Sequence, residues 1–418
     1  MRYAFFLGHT PALSLAELFA VAARVGVNLK ILRWSRAVAL GEIASRVNIE
    51  SLFRTLAGLV KIAAITKTVH GALTPEHLRS LLPTTGRKLF FGLSAYTLEP
   101  GAREVDCRRL GLSVKRLLQE EQRSARLVTS REGTLSSVVI NTNKLLSERG
   151  AEIVILSLRN GAYLGRTLAV QLYKEFARRD MGRPARDARV GMLPPKIARM
   201  MVNLACVHPG ETLLDPFCGS GTILQEALLL GIDRLWGSDY DKRAIDRTRA
   251  NLEWLSAFTP QMKTASFLMK LIRCSIEEIP ARLPPGSVEA IVTEPYLGPP
   301  RVRPLSPAEV AQMRKELTFL YRRAFVSCAH VLVPGGRVVM AWPVWRVIGR
   351  KVSKSAGAYL DLERTAEEAG LAVVDPYLTH VHPLPGAEHG YLKERRSLLY
   401  QREDQVVMRE IRIFEKSQ

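Results

Sequence analysis

The chain has 418 residues, 47% of them hydrophobic, which fits two or three compact domains and excludes a disordered polymer. Its net charge of +20 favours an acidic partner over a basic one. Charge or proline breaks every apolar stretch short of a membrane span, and MRYAFFLGHTPALSLAE has too short an apolar run for a secretion signal, so a cytoplasmic protein with no membrane partner is expected.

Residues 1–70 read as a small α+β unit: MRYAFFLG as a strand, Leu13 to Val25 as an amphipathic helix, then short strand and helix patterns through LFRTLAGLVKIAAI. From 71 to 172, GLSVKRLLQEEQRSARLV reads as a helix running into a strand. SSVVI follows as a strand, NTNKLLSERG as a helix, and AEIVILSLR and AYLGRTLAV as strands. Segment 173–195, YKEFARRDMGRPARDARVGMLPP, is rich in Arg, Gly and Pro without hydrophobic periodicity and reads as a linker.

From 196 to 418 strands and helices alternate. Strands TLLDPF, RLWGSD, SFLMKLIRCS, VEAIVTEP and GRVVMAWPVW are separated by helical patterns, with later strands in LAVVDPYLTH and RSLLYQRE. Helices between buried strands predict an α/β fold with a doubly wound, mostly parallel sheet, ligands binding at the carboxyl ends of its strands.

The basic surplus is uneven. Residues 1–195 hold 30 Lys and Arg against 15 Asp and Glu, whereas 196–418 hold 30 against 25. A positive field concentrated in the first half suits nucleic acid, the alternative being a merely solubilising surface. Arg108, Arg109, Lys115, Arg116, Arg123 and Arg126 crowd one short region with Arg131, offset by Glu120, Glu121 and Glu132, and are the candidate RNA contacts.

LLDPFCGSGT at 213–222 places Gly219 and Gly221 between a strand and a helix, where backbone amides can meet an adenosine-bearing ligand. Asp239 ends the next strand, placed to accept from ribose hydroxyls. Leu224 stands where a dinucleotide fingerprint needs its third glycine, and no GK[ST] follows. S-adenosylmethionine, which has no pyrophosphate, fits this loop better.

VEAIVT runs out into Glu294, Pro295 and Tyr296, the candidate catalytic loop. Methylating an exocyclic amine needs acceptors that hold the amine protons and an aromatic that clamps the base, and Glu294 and Tyr296 supply both types. The alternative is an ordinary turn with a solvated glutamate. His380, His382 and His389 have no helical ligand spacing and no cysteine partner, so no metal is expected. Five scattered cysteines lack zinc or disulfide spacing, and Cys218 is read as a small residue beside close-approach backbone, not a nucleophile.

With DPFCGSG, EPYLG, RRDMGRP and GMLPPKIARMMVNLA in view, the chain resembles the tRNA guanine-10 N2-methyltransferase family over nearly its whole length. The resemblance implies an N-terminal ferredoxin-like domain (1–70), a THUMP RNA-binding domain (71–172), the linker, and a class I methyltransferase domain (196–418) with a seven-stranded sheet. It implies Asp215, Phe217, Gly219, Ser220 and Gly221 around the methionine part of the cofactor, and Asp239 with neighbouring Tyr240 at the ribose. An acidic residue often found near the adenine is replaced by Ser275, with Glu277 as the other candidate. The family's T-D-P-P-Y-G becomes Thr293-Glu294-Pro295-Tyr296-Leu297-Gly298, so either the loop is reshaped or the target atom differs.

Three functions follow: a tRNA guanine N2-methyltransferase, a methyltransferase for another RNA base amine, and a tRNA-binding protein without catalysis. The implied partners are tRNA and, as in some relatives, a small activator subunit; otherwise a monomer is expected.

Overall fold

The computed structural model describes every residue except 45–46, 85–87, 187–191, 260–267, 350–356, 378–384 and 403–404. Residue contacts divide the described chain into two units. One holds Met1–Pro11 and Val25–Tyr173; the other holds Ala12–Arg24 and the chain from Lys174 onward.

The first unit is one eight-stranded sheet. Its strands are β1 (Arg2–Leu7), β2 (Leu29–Trp34), β3 (Val38–Ile43), β4 (Leu59–His70), β5 (Lys88–Thr97), β6 (Ser124–Val128), β7 (Gly150–Leu158) and β8 (Gly161–Val170), in spatial order β2-β3-β1-β4-β8-β7-β5-β6. Only β5 with β6 and β5 with β7 run parallel. Strand β4 pairs with β1 on one side and β8 on the other, so the regions 1–70 and 71–172 share a continuous sheet across the expected boundary. Glu152 of β7 is buried within it, where its oxygens take Lys61 Nζ, Ser94 Oγ and Thr167 Oγ1, each at 2.5 Å. Such a charge is tolerated inside only with its lone pairs filled.

Helix α1 (Pro11–Arg24) falls almost entirely in the second unit, where Asn203 Nδ2 donates to Glu17 Oε1 at 2.7 Å. The first unit carries α2 (Ile49–Thr55), α3 (Pro75–Arg79), α4 (Cys107–Glu120) and α5 (Ser137–Thr142). SSVVI, expected as a strand, is therefore helical. Ser136 caps it by accepting the Val139 N–H, and the NTNKLLSERG stretch beyond is mostly turn.

Part of the linker expected at 173–195 is helical. Helix α6 (Tyr173–Met181) buries Phe176 and Arg179, and α7 (Pro195–Leu204) follows. Buried Glu226 takes Arg179 Nε at 2.6 Å and Arg199 Nε at 2.7 Å. A helix whose buried face is one phenylalanine and one paired arginine leaves no apolar period to read.

The second unit continues with β9 (Thr212–Asp215), α8 (Thr222–Leu229), β10 (Arg234–Asp239), α9 (Lys242–Phe258), β11 (Leu268–Arg273), α10 (Ile279–Arg282), β12 (Val288–Thr293), α11 (Pro307–Val331) and β13 (Leu332–Trp345). It ends with β14 (Ala358–Tyr359), α12 (Glu363–Glu368), β15 (Leu371–Val374), β16 (Tyr391–Leu392), β17 (Ser397–Tyr400) and β18 (Val407–Lys416). The sheet runs β11-β10-β9-β12-β13-β18-β17-β16, parallel as far as β13, with β18 antiparallel. Tyr321, Phe325, Trp342 and Phe414 pack edge-on and stacked in its core. The chain winds from β9 through β10 to β11, then crosses to β12 on the opposite side of β9, and this reversal opens a crevice at the carboxyl ends.

Candidate active site

The crevice is built at three neighbouring strand ends. Gly237 of β10 registers with Asp215 of β9, and Leu214 of β9 with Ile291 of β12. Asp239, Asp215 and the Thr293-Glu294 step therefore arrive side by side.

Asp215 is 1% exposed, and its Oδ1 accepts the Phe217 N–H at 3.2 Å and the Thr293 hydroxyl at 2.8 Å. Burial pushes its pKa up to about 7, the two hydrogen bonds opposing and the charges of Asp239 and Glu294 adding. Asp239 takes the Gly219 N–H on Oδ2 at 3.1 Å and the Asp241 N–H on Oδ1 at 3.0 Å, and its pKa is raised chiefly by burial. Two desolvated carboxylates at one crevice favour a cationic ligand.

The loop between β9 and α8 needs both of its glycines. Gly219 and Gly221 have φ of 55° and 77°, and a Cβ on Gly221 would stand 2.8 Å from Thr248 Cγ2. Thr248 Oγ1 donates to the Gly219 carbonyl at 3.1 Å. Asn251 Nδ2 donates to the Ser220 carbonyl at 2.9 Å and the Ala185 carbonyl at 3.0 Å, while its Oδ1 accepts the Ala185 N–H at 3.0 Å. Arg183 Nη1 donates to Thr222 Oγ1 at 2.5 Å, and Met192 Sδ lies 3.8 Å from Ser220 Oγ. Arg183, Ala185 and Met192, all within the stretch expected as a linker, are thus fastened around the glycine loop. Arg183 lies within RRDMGRP but was given no role there, and Thr248 and Asn251 were not singled out, because the loop contacts they make join residues far apart in sequence.

Phe217 packs half-buried against the core, and Tyr240 is exposed at the end of β10. Ser275 follows β11, beside the Asp239 end through the Cys274 N–H, which donates to the Asp239 carbonyl at 3.1 Å. Its own N–H donates to Glu278 Oε2 at 2.7 Å in a capping box, and Glu277 pairs with Arg323. Cys218 is buried, its thiol pKa pushed well above the ordinary value by desolvation, so it remains a neutral thiol.

On the β12 side, Pro295 is buried, Tyr296 is exposed, and the Tyr296 carbonyl accepts from Tyr321 OH at 3.5 Å. Glu294 is held at two points by Arg409: Nη2 donates to Oε1 at 3.1 Å, and Nε donates to Oε2. Arg409 belongs to β18, which the sequence reading did not identify. The β-branched and aromatic residues of its VMREIRIF were the available signal.

In the first unit, Arg108, Arg109, Arg116 and Arg126 are exposed and Lys115 and Arg123 half-buried, because α4 turns Gly111, Val114 and Leu118 inward. Glu121 is spent on Arg79, 2.8 Å away, instead of offsetting this group. Among the described residues no cluster of His, Cys, Asp and Glu is arranged to hold a metal. His389 Nε2 lies 3.3 Å from Glu388 Oε1, while His380 and His382 lie outside the described residues. No described helix is long and apolar enough to cross a membrane.

Residues 183–299 match the family model described as UPF0020, RMKL-like methyltransferase domain. The crystal structure of TrmN from Thermus thermophilus aligns over 100% of both chains with a TM-score of 0.53 at 17% identity. The C-terminal unit has the class I methyltransferase fold. A tRNA (guanine(10)-N2)-dimethyltransferase of Methanothermobacter thermautotrophicus is 33% identical over 193 residues, 46% of this chain and 46% of its own. A protein of the same description from Methanocaldococcus jannaschii is 28% identical over 211 residues, 50% of this chain and 54% of its own. The chain spans about half the length of the curated relatives it matches.

Proposed function

We propose that the chain methylates the exocyclic N2 amine of a guanosine in tRNA, at position 10, with S-adenosylmethionine as donor. One observation carries this reading: the β10, β9 and β12 ends gather Asp239, Asp215 with its glycine loop, and Glu294 around a single crevice. The descriptions of the relatives support the choice of tRNA and of the N2 amine.

In this reading Asp239 and Tyr240 hold the ribose, Ser275 or Glu277 meets the adenine edge, and Asp215, Phe217, Gly219, Ser220 and Gly221 surround the methionine part. The donor set fits such a group, since a ligand carrying an ammonium and a sulfonium relieves the crowding of two desolvated carboxylates. Bound there, the cofactor supplies an electrophilic methyl group. Glu294 accepts the protons of the target amine and orients its lone pair, Pro295 stiffens the loop, and Tyr296 flanks the base. The resulting acceleration comes from orientation and exclusion of water.

A stacked or paired guanosine must leave its helix to reach the crevice, at a cost of roughly a few kcal/mol. The cations of α4 and β6 repay it by gripping phosphates. A second reading, methylation of another RNA base amine, is favoured by Glu294 and Leu297 in the loop.

The experiment incubates the purified chain with methyl-labelled cofactor and unmodified tRNA transcripts, then maps the labelled nucleoside. N2-methylguanosine or its dimethyl form is expected; a labelled adenosine selects the second reading, and no label on any transcript, with or without an added activator subunit, rejects both. Mass measurement in solution tests the monomer. Turnover appearing only after a small activator subunit is added assigns the chain to the helper-dependent form.

A further inference from the structure

Arg409 enters the site from the far edge of the parallel strands. Strand β18 pairs with β13 at Pro343 and with β17 at Tyr400, and the Arg409 side chain is 3% exposed. A buried arginine is costly unless an anion meets it with good geometry. Burial acts to lower its pKa, but the charge and hydrogen bonds of Glu294 prevail and hold it above the ordinary value.

A guanidinium fork grips a carboxylate at two points and so fixes the plane of the carboxylate, which an ammonium cannot do. Each Glu294 oxygen takes one N–H from Arg409, and an ionised carboxylate oxygen has a second lone-pair site to offer. Glutamate has one more rotatable bond than the aspartate of the T-D-P-P-Y-G pattern, so an unheld side chain would spread over several rotamers and dilute any productive one. The Glu294 carboxylate does not hang free into the crevice: its side chain is only 16% exposed.

Resting on the reading that Glu294 receives the amine protons of the target base, we propose that Arg409 is a positioning residue: its two-point grip fixes the longer glutamate so that the remaining acceptor sites meet the exocyclic amine. The extra methylene is taken up in the reach toward β18. Arg409 itself does no proton transfer, since its guanidinium stays charged.

Single-turnover methyl transfer to an unmodified tRNA transcript, with cofactor and RNA affinities measured separately, tests this. Arg409→Lys keeps the charge but loses the fork, and is expected to slow transfer about 10- to 100-fold with both affinities within about twofold. Arg409→Ala is slower still and is partly rescued by added guanidinium ion. Glu294→Asp falls short of Arg409, so the losses of Glu294→Asp and Arg409→Ala do not add in the double variant. Wild-type transfer by Arg409→Lys, additive losses, or a folded Arg409→Ala that guanidinium does not rescue overturns the proposal. Circular dichroism checks folding, and failure of both Arg409 variants to fold makes the pair structural and also overturns it. If Glu294→Gln is inactive while Arg409→Lys is normal, only the role of Arg409 falls; if Glu294→Gln transfers normally, or the wild-type chain shows no transfer even with an activator subunit, the underlying reading falls instead.

Discussion

Thr293 Oγ1 donates to Asp215 Oδ1 across 2.8 Å, tying the carboxyl end of β12 to that of β9. The contact joins the strand that delivers the glycine loop to the strand that delivers Glu294, and it holds a carboxyl group whose pKa burial has raised to about 7.

That pKa makes a signed prediction. The unfolded chain releases the Asp215 proton near the ordinary carboxylate pKa, whereas the folded chain keeps it to about pH 7, so the folded state binds more protons in between and stability falls as pH rises through that window. Asp215→Asn removes this penalty, worth about 4 kcal/mol at most. The variant should gain melting temperature over wild type progressively from pH 4 to 7. A difference that stays constant across this range contradicts the assignment. Wild-type cofactor affinity should in turn rise with pH toward 7, and this dependence should vanish in Asp215→Asn.

Glu294→Gln keeps the shape of the loop but replaces an acceptor oxygen by a donor. Methyl transfer should drop by on the order of 10²- to 10³-fold while tRNA affinity stays within about twofold. Rapid-quench transfer assays and filter binding measure the two separately, and unaltered turnover would remove Glu294 from the mechanism.

Alanine at Arg108, Arg109, Arg116 and Arg126 should weaken tRNA binding and flatten its salt dependence, the slope of log K against log salt losing roughly 0.7 to 0.9 for each phosphate contact removed. Binding titrations at several salt concentrations read this slope. Weaker binding with an unchanged slope would place these side chains off the phosphates.

Asn251→Ala should cost about 2–4 kcal/mol, because Asn251 is fully buried and the change strands the Ser220 carbonyl and both polar groups of Ala185. Urea unfolding measures the loss. Cofactor affinity should fall with it, since the same side chain secures the glycine loop; a stable variant with intact affinity would show the clamp to be dispensable.

The alternation from β9 to β13 was legible because buried parallel strands are short apolar runs separated by helices, and the glycine loop because its backbone conformation admits few other residues. SSVVI misled because β-branched residues suit a strand, whereas the Ser136 cap and the burial of Ile140 decide for a helix. Strand β18 stayed hidden because Arg409, Glu410 and Arg412 interrupt its apolar run. Each is buried in the fold against an opposite charge: Arg409 on Glu294, Glu410 on Arg395, and Arg412 on Glu363.

The sequence alone determined the parallel architecture of the second unit and which strand ends would carry Asp215, Asp239 and Glu294, since these depend on residue type and near-neighbour spacing. The tertiary structure alone decided that Arg409 would hold Glu294, 115 positions away, and that Asn251 would bind the 183–186 segment to the glycine loop. Contacts between such distant residues depend on strand order and register, which no local pattern encodes, and a buried charge looks like a surface charge until its partner is brought to it.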